Sequence, residues 1–152
     1  MKNIIFVCHG NICRSPAAEW IMKDLLRKYG LEDKFNICSR AASREEIGND
    51  IYPPMKRELD HRNIAYESHH AMQINKQDYD WADYIFYMDN NNLNFMKYII
   101  EDVSKKYVNI TKYSENHGEI DDPWYSGEYA IVCDQITQCC EDIIKNLLLK
   151  IR

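Results

Sequence analysis

Residues 4–16 read Ile4-Ile5-Phe6-Val7-Cys8-His9-Gly10-Asn11-Ile12-Cys13-Arg14-Ser15-Pro16. The four apolar residues form a short, continuous β-branched and aromatic run, which suits a strand buried on both faces, as in a parallel sheet. A polar loop follows. Ser15 then reads as a helix N-cap, with Pro16 at the first helical position and Glu19 in the first turn. Strand, loop and helix in this order make the opening of a βα unit. In open α/β sheets ligands bind beyond the carboxyl ends of the strands. Cys8 stands at that end of the first strand, so the loop after it is where a ligand is expected.

Outward from this unit the alternation continues. Trp20, Ile21, Leu25, Leu26 and Tyr29 give the first helix an apolar face, and Gly30 ends it. Phe35 to Ser39 reads as a second strand. A helix from about Asp50 to Arg62 turns Met55 and Leu59 inward, with Pro53 and Pro54 in its first turn. Tyr84 to Met88 is a third strand, Asn90-Asn91-Asn92 a helix start, Leu93 to Val103 a helix, and Tyr107 to Ile110 a shorter fourth strand. Ser114 to Gly127 reads as a loop. The C-terminal helix places Val132, Ile136, Cys140, Ile143, Leu147 and Ile151 on one stripe. Strands alternating with helices predict a parallel sheet, and the length of 152 residues predicts one domain, residues 1–152.

Composition bounds the chemistry. With 45% apolar and 28% charged residues the chain is of ordinary globular make-up. Its net charge of -5 gives no bulk attraction to nucleic acid or an anionic membrane, so neither is an expected partner. An anion site must then be local. The N-terminal apolar run is too short for a signal-peptide core, and no run of 18 apolar residues occurs, so a cytoplasmic chain is expected. There, cysteines serve chemistry more often than structural disulfides. No CxxC pair accompanies His69-His70, and no metal site is expected.

The loop itself points to an anion. A strand-loop-helix turn aims successive backbone N–H groups at one place and sets a helix N-terminus beneath it. Gly10 permits a tight turn through positive φ, and Asn11 tolerates a left-handed conformation and braces the loop. The Arg14 guanidinium is a planar fork matched to two oxygens of a phosphate. These groups favour a thiolate on Cys8, with Ser15 giving it one more hydrogen bond. A thiolate facing an oxyanion nest is equipped for phosphoryl transfer through a covalent intermediate.

CHGNICRSP resembles the signature of the low-molecular-weight protein tyrosine phosphatases, also called low-molecular-weight acid phosphatases. Met88-Asp89-x-x-Asn92-Leu93 and Asp122-Pro123 resemble two further segments of that family, in the same order and spacing. The resemblance implies an α/β fold, a four-stranded parallel sheet flanked by helices in three layers, flavodoxin-like in wiring. It implies Cys8 as nucleophile. The amides of His9, Gly10, Asn11, Ile12, Cys13 and Arg14, with the Arg14 side chain, would hold the phosphoryl oxygens. Asp122 would be general acid and then base, Ser15 would assist the thiolate, and Asn11 would fix the loop. His69 would brace Asn11, with support from Glu19. Cys13 would form a reversible disulfide with Cys8 under oxidant. No metal or cofactor is implied. The partners would be phosphotyrosine in proteins or peptides, and phosphate, vanadate or sulfate-like oxyanions in the loop, bound by a monomer.

The acid assignment also has its own basis. A phenolate is a poor enough leaving group to gain from a proton, and the loop offers no carboxyl. Asp122 beside Pro123 is held in a restricted backbone, and Asp121 is the lesser candidate. Trp124, Tyr125 and Tyr129 are read as walls of a groove deep enough for phosphotyrosine; the family commonly has tyrosine at the position of Trp124. Met72 stands where the family commonly has arginine, and Arg40-Ala41-Ala42-Ser43 is assigned no contact with the site. Cys38, Cys133, Cys139 and Cys140 read as small buried residues. Two reactions compete on the same fold. Thiol-linked arsenate reduction needs further cysteines near the segment after strand three, and Trp81 to Lys97 has none. Phosphoarginine hydrolysis goes with threonine where this chain has Ile12.

Overall fold

In the computed structural model, which describes residues 1–151, four strands form one sheet in the order β2-β1-β3-β4, every pair parallel. The strands are β1 (Lys2–Cys8), β2 (Phe35–Ala41), β3 (Tyr84–Tyr87) and β4 (Tyr107–Asn109). The helices are α1 (Arg14–Lys28), α2 (Pro53–His61), α3 (Lys76–Trp81), α4 (Asn90–Ile99), α5 (Pro123–Ser126) and α6 (Tyr129–Ile151). The chain leaves β1 to pair with β2 on one side and later crosses to β3 on the other. The order reverses at β1, and such a switch point opens a crevice at the carboxyl ends of the strands.

The apolar run that decides the fold is buried on both faces. Ile4, Phe6 and Cys8 pack with α1, α2 and α6, whereas Ile5 and Val7 pack with residues of α3 and α4. Strand side chains alternate between faces, so one continuous apolar segment serves both cores. Phe6 lies against Phe86 at 5.9 Å between ring centroids, and Tyr84 stacks on Phe86 at 5.8 Å. In the C-terminal stripe Val132, Ile136, Cys140, Ile143 and Leu147 are all buried, while the side chain of Ile151 lies outside the described residues.

Several boundaries differ from the sequence reading. Helix α1 begins at Arg14, capped by Cys13 without a side-chain bond, so Ser15 is not its N-cap and Glu19 lies beyond its first turn. Helix α4 starts at Asn90 and ends at Ile99. Asp89 and Asn92 cap each other's backbone N–H groups there, which fixes the start in the asparagine cluster as read, while the end falls short of Val103. Strand β2 runs on to Ala41, because its pairing with β1 continues to Cys8↔Ala41. Helix α3 was not expected. It has six residues, of which only Tyr79 is buried, too few to show a period; its signal is the Asn75-x-x-Asp78 capping box. No helix among the described residues is long and apolar enough to cross a membrane.

Candidate active site

The loop from Cys8 to Ser15 leaves the carboxyl end of β1, and its carbonyls are tied outward one after another. The carbonyl of Cys8 accepts from the Ala42 N–H at 2.9 Å, and that of His9 from the Ser43 N–H at 3.0 Å. The Ser43 hydroxyl also donates to His9 at 2.9 Å. The carbonyl of Asn11 accepts from His69 Nε2 at 2.5 Å. That of Ile12 accepts from the Tyr52 N–H at 2.8 Å, and that of Cys13 from the Ala17 N–H at 3.1 Å. In a trans peptide the N–H points opposite the C=O. Each anchored carbonyl therefore turns the N–H of the next residue away from these partners. Those next residues are His9, Gly10, Ile12, Cys13 and Arg14, and all five line one cleft of about 220 Å³ together with Cys8. Asn11 follows a carbonyl that finds no anchor among the described residues, and it is fully buried instead of lining the cleft.

The left-handed residue of this loop is Asn11, at φ 61°, and not Gly10. Glycine at position 10 leaves room for Glu46: a Cβ there would come within 3.1 Å of Glu46 Cγ, and that side chain would have to shift by a few tenths of an ångström. The side chain of Asn11 knits the loop to the strands. Its amide donates to Ser15 Oγ at 2.8 Å and Ser39 Oγ at 3.0 Å, and its carbonyl oxygen accepts from the Met72 N–H at 3.2 Å. Ser39 in turn donates to Glu19 at 2.7 Å, and Lys23 pairs with the same carboxylate. Glu19 thus reaches Asn11 through Ser39, while His69 holds the Asn11 backbone.

At the mouth, Cys8 Sγ lies 3.1 Å from Ser15 Oγ and accepts from the Ser15 N–H at 3.4 Å. Arg14 is 2% exposed despite its charge. Its Nη1 donates to Asp89 Oδ2 and to the Ile120 carbonyl, both at 2.8 Å, and its Nη2 faces Asp122 Oδ2 at 3.6 Å. Burial opposes the charge on Arg14, but the electrostatic interaction with Cys8, the bond and charge of Asp89 and the charge of Asp122 outweigh it, raising its pKa. Asp89 and Asp122 are built alike: each spends Oδ1 on capping the helix it precedes, through the N–H of Asn92 or Trp124, and turns Oδ2 to Arg14.

Asp122, Trp124 and Tyr125 complete the cleft, with Glu45 and Glu46 on its rim. Asp121 is exposed and does not line it. Tyr129 does not reach the cleft either; it packs on Tyr52, which carries Trp124 on its ring. The expectation that Arg40 to Ser43 makes no contact is corrected: Ala42 and Ser43 anchor the loop, and the Arg40 carbonyl accepts from Ser15 Oγ at 3.3 Å. Sequence reasoning gave no site role to Ser39, Ser43, Asp89, Tyr52, Glu45 or Glu46. Burial, then the charges of Cys8 and Asp122, push the Cys13 thiol far up. All six cysteines are free. Cys133, Cys139 and Cys140 are buried, but Cys38 is only half-buried, its thiol pushed up to about 11 by burial. Among the described residues no cluster of three or more His, Cys, Asp or Glu could hold a metal ion.

Comparison with known proteins agrees with this architecture. The family model described as low molecular weight phosphotyrosine protein phosphatase matches residues 3–151. The low molecular weight protein-tyrosine-phosphatase YfkJ of Bacillus subtilis is 33% identical over 150 residues, covering 97% of this chain and 96% of that protein. The crystal structure of YfkJ superposes with a TM-score of 0.94 at 32% identity, over 100% of this chain and 98% of that one. A protein tyrosine phosphatase from Entamoeba histolytica, solved with Hepes in its active site, superposes at 0.90 with 27% identity, over 100% of both chains. A match across nearly the whole chain, on a four-stranded parallel sheet, shows that this chain belongs to the low molecular weight phosphotyrosine protein phosphatase family and is a phosphoric monoester hydrolase.

Proposed function

We propose that this chain hydrolyses phosphotyrosine in proteins, and small aryl phosphates, through a cysteinyl-phosphate intermediate. The observation that carries the reading is the row of anchored carbonyls, which turns the N–H groups of His9, Gly10, Ile12, Cys13 and Arg14 away from those partners, in a loop whose residues line the cleft with Cys8. Those donors and the Arg14 guanidinium suit the non-bridging oxygens of a phosphoryl group, where the charge of the transition state is spread. Cys8 Sγ forms the S–P bond as the P–O ester bond breaks. The carboxyl of Asp122 gives its proton to the departing phenolate oxygen. In the second step the Asp122 carboxylate takes a proton from water as the water oxygen attacks phosphorus. The S–P bond breaks, and the thiolate returns to the hydrogen bonds of Ser15. Trp124 and Tyr125 wall the cleft on the side of Asp122, which suits a flat aromatic ester. Ile12 in the lining and the lack of a cysteine from Trp81 to Lys97 favour phosphotyrosine over phosphoarginine and arsenate.

The same reading makes residues 1–152 one catalytic unit, a monomer working in the cytoplasm without metal or cofactor. Six free thiols suit a reducing compartment. The test is turnover of aryl phosphates in EDTA by wild type and Asp122→Ala, with phosphotyrosine and phosphoarginine peptides compared. Asp122→Ala is expected to lower kcat/KM for phenyl phosphate by roughly 10²-fold, and much less for esters with very good leaving groups. Equal loss on all esters would remove Asp122 from the acid role, and faster phosphoarginine turnover would replace the substrate. Cys13 is the expected redox guard. Its buried, protonated thiol would condense with a Cys8 sulfenic acid, releasing water. Peroxide should then remove two hydrogens from the wild-type mass reversibly. The same shift in Cys13→Ser would exclude Cys13 as the partner.

A further inference from the structure

The segment carrying Asp122 has little structure of its own. Helix α5 is a single turn of four residues, closed by Gly127 in the left-handed conformation at φ 73°. A lone turn does not hold itself in water. Upstream the segment is fastened at Ile120, whose N–H donates to the Met88 carbonyl at 2.9 Å and whose carbonyl accepts from Arg14. Downstream it runs into α6. Between these ends Pro123 is buried, while Trp124 is 53% exposed and rests on one partner ring, Tyr52, at 4.6 Å between centroids and 46° between planes. The main chain of Trp124 in turn holds the carboxylate, because its backbone N–H donates to Asp122 Oδ1 at 3.0 Å.

Tyr52 is itself well fixed. Its N–H donates to the Ile12 carbonyl, its carbonyl accepts from Met55 at 2.9 Å and Lys56 at 3.1 Å at the start of α2, and its ring packs on Tyr129 at 6.4 Å. It does not line the cleft. We infer that Tyr52 is a positioning residue for the general acid: its ring seats Trp124, and Trp124 holds the Asp122 carboxyl where a leaving oxygen would take its proton. The inference rests on the reading of Asp122 as the acid.

A ring that acts only through Asp122 matters in proportion to the need for a proton. Tyr52→Ala is expected to lower kcat/KM about tenfold for phenyl phosphate, a part of the range that a positioned acid supplies. For dinitrophenyl phosphate the change should stay within about twofold, because that leaving group departs without help. The plot of log kcat/KM against leaving-group pKa should steepen. Tyr52→Phe, which keeps the ring, should restore the wild-type slope. Vanadate inhibition should be unchanged in both, since the bond to Ile12 comes from the main chain. The slope is measured for wild type, Tyr52→Ala, Tyr52→Phe and Asp122→Ala together. A steeper slope in Asp122→Ala with a wild-type slope in Tyr52→Ala would overturn the inference and leave the acid standing. An unchanged slope in Asp122→Ala would overturn both. A uniform loss across all esters in Tyr52→Ala, with weaker vanadate inhibition, would place Tyr52 with the phosphate loop and also overturn it.

Discussion

Cys8→Ser is expected to abolish turnover of aryl phosphates, by roughly 10⁴-fold or more, the scale on which other covalent hydrolases feel loss of their nucleophile. The exchange replaces sulfur by oxygen in a buried site and leaves the fold untouched. What it removes is ionisation. The groups bonded to Cys8 Sγ are the hydroxyl and the N–H of Ser15, at 3.1 and 3.4 Å, and neither is a base. A thiol is intrinsically far more acidic than an alcohol, and an alcohol needs a base to take its proton before it can attack. Binding should survive, because the N–H groups and Arg14 are unaltered. The variant should bind a phosphotyrosine peptide at least as tightly as wild type and hold it without hydrolysis. Calorimetry with the peptide and a burst-free progress curve measure the two halves. Steady turnover by Cys8→Ser that scales with enzyme concentration would rule out the cysteinyl-phosphate route.

The parts of this site that can be read from sequence are those whose chemistry is contiguous. Cys8, Arg14 and Ser15 fall within one loop, and the strand before them declares itself by an unbroken apolar run. The residues that were missed are brought in by the sheet. Ser39 carries no local signal, since a serine in a strand looks like any polar position. It meets Asn11 because β2 pairs in parallel with β1, with Phe6 opposite Ser39. Asp89 arrives the same way from the end of β3, and its sequence signal, the capping box with Asn92, concerns the helix and not the arginine. Ser15 shows the reverse case. Its pattern with Pro16 fits a helix cap, but its hydroxyl is held by Cys8 and Asn11, and the helix begins at Arg14, before Ser15, with Cys13 as its cap. Gly10 and Asn11 were both read as able to take positive φ, and only Asn11 does, because sequence shows which residues tolerate a turn but not which one the carbonyl anchors select.

Arg14→Lys keeps the charge, yet it is expected to lower kcat/KM by about 10³-fold, comparable to removing a preorganised donor from other oxyanion sites. The guanidinium does two jobs with one plane. Its Nη1 is committed to Asp89 and the Ile120 carbonyl, and its Nη2 faces the Asp122 side. A lysine ammonium is a point charge on a shorter reach, with tetrahedral donors that cannot repeat this fork. At a position 2% exposed it is also harder to desolvate than a guanidinium. One nitrogen, Nη1, makes both the Asp89 and the Ile120 bonds, and the ammonium, one bond shorter, stops before its place; the Ile120 carbonyl then loses this donor, and the segment bearing the acid keeps only the Met88 bond as its upstream fastening. The loss should therefore have two signatures. Inhibition by phosphate and vanadate should weaken, because planar two-oxygen recognition is gone. The dependence of kcat/KM on the leaving group should also steepen, because Asp122 is held less firmly from Ile120. Arg14→Ala adds instability, since it strands the largely buried Asp89 carboxylate, at a cost of up to roughly 3 kcal/mol in unfolding free energy. Comparing the two by denaturant titration separates this from the catalytic effect. Near-wild-type kcat/KM in Arg14→Lys would show that charge alone suffices at this position, and the planar-fork argument would fall.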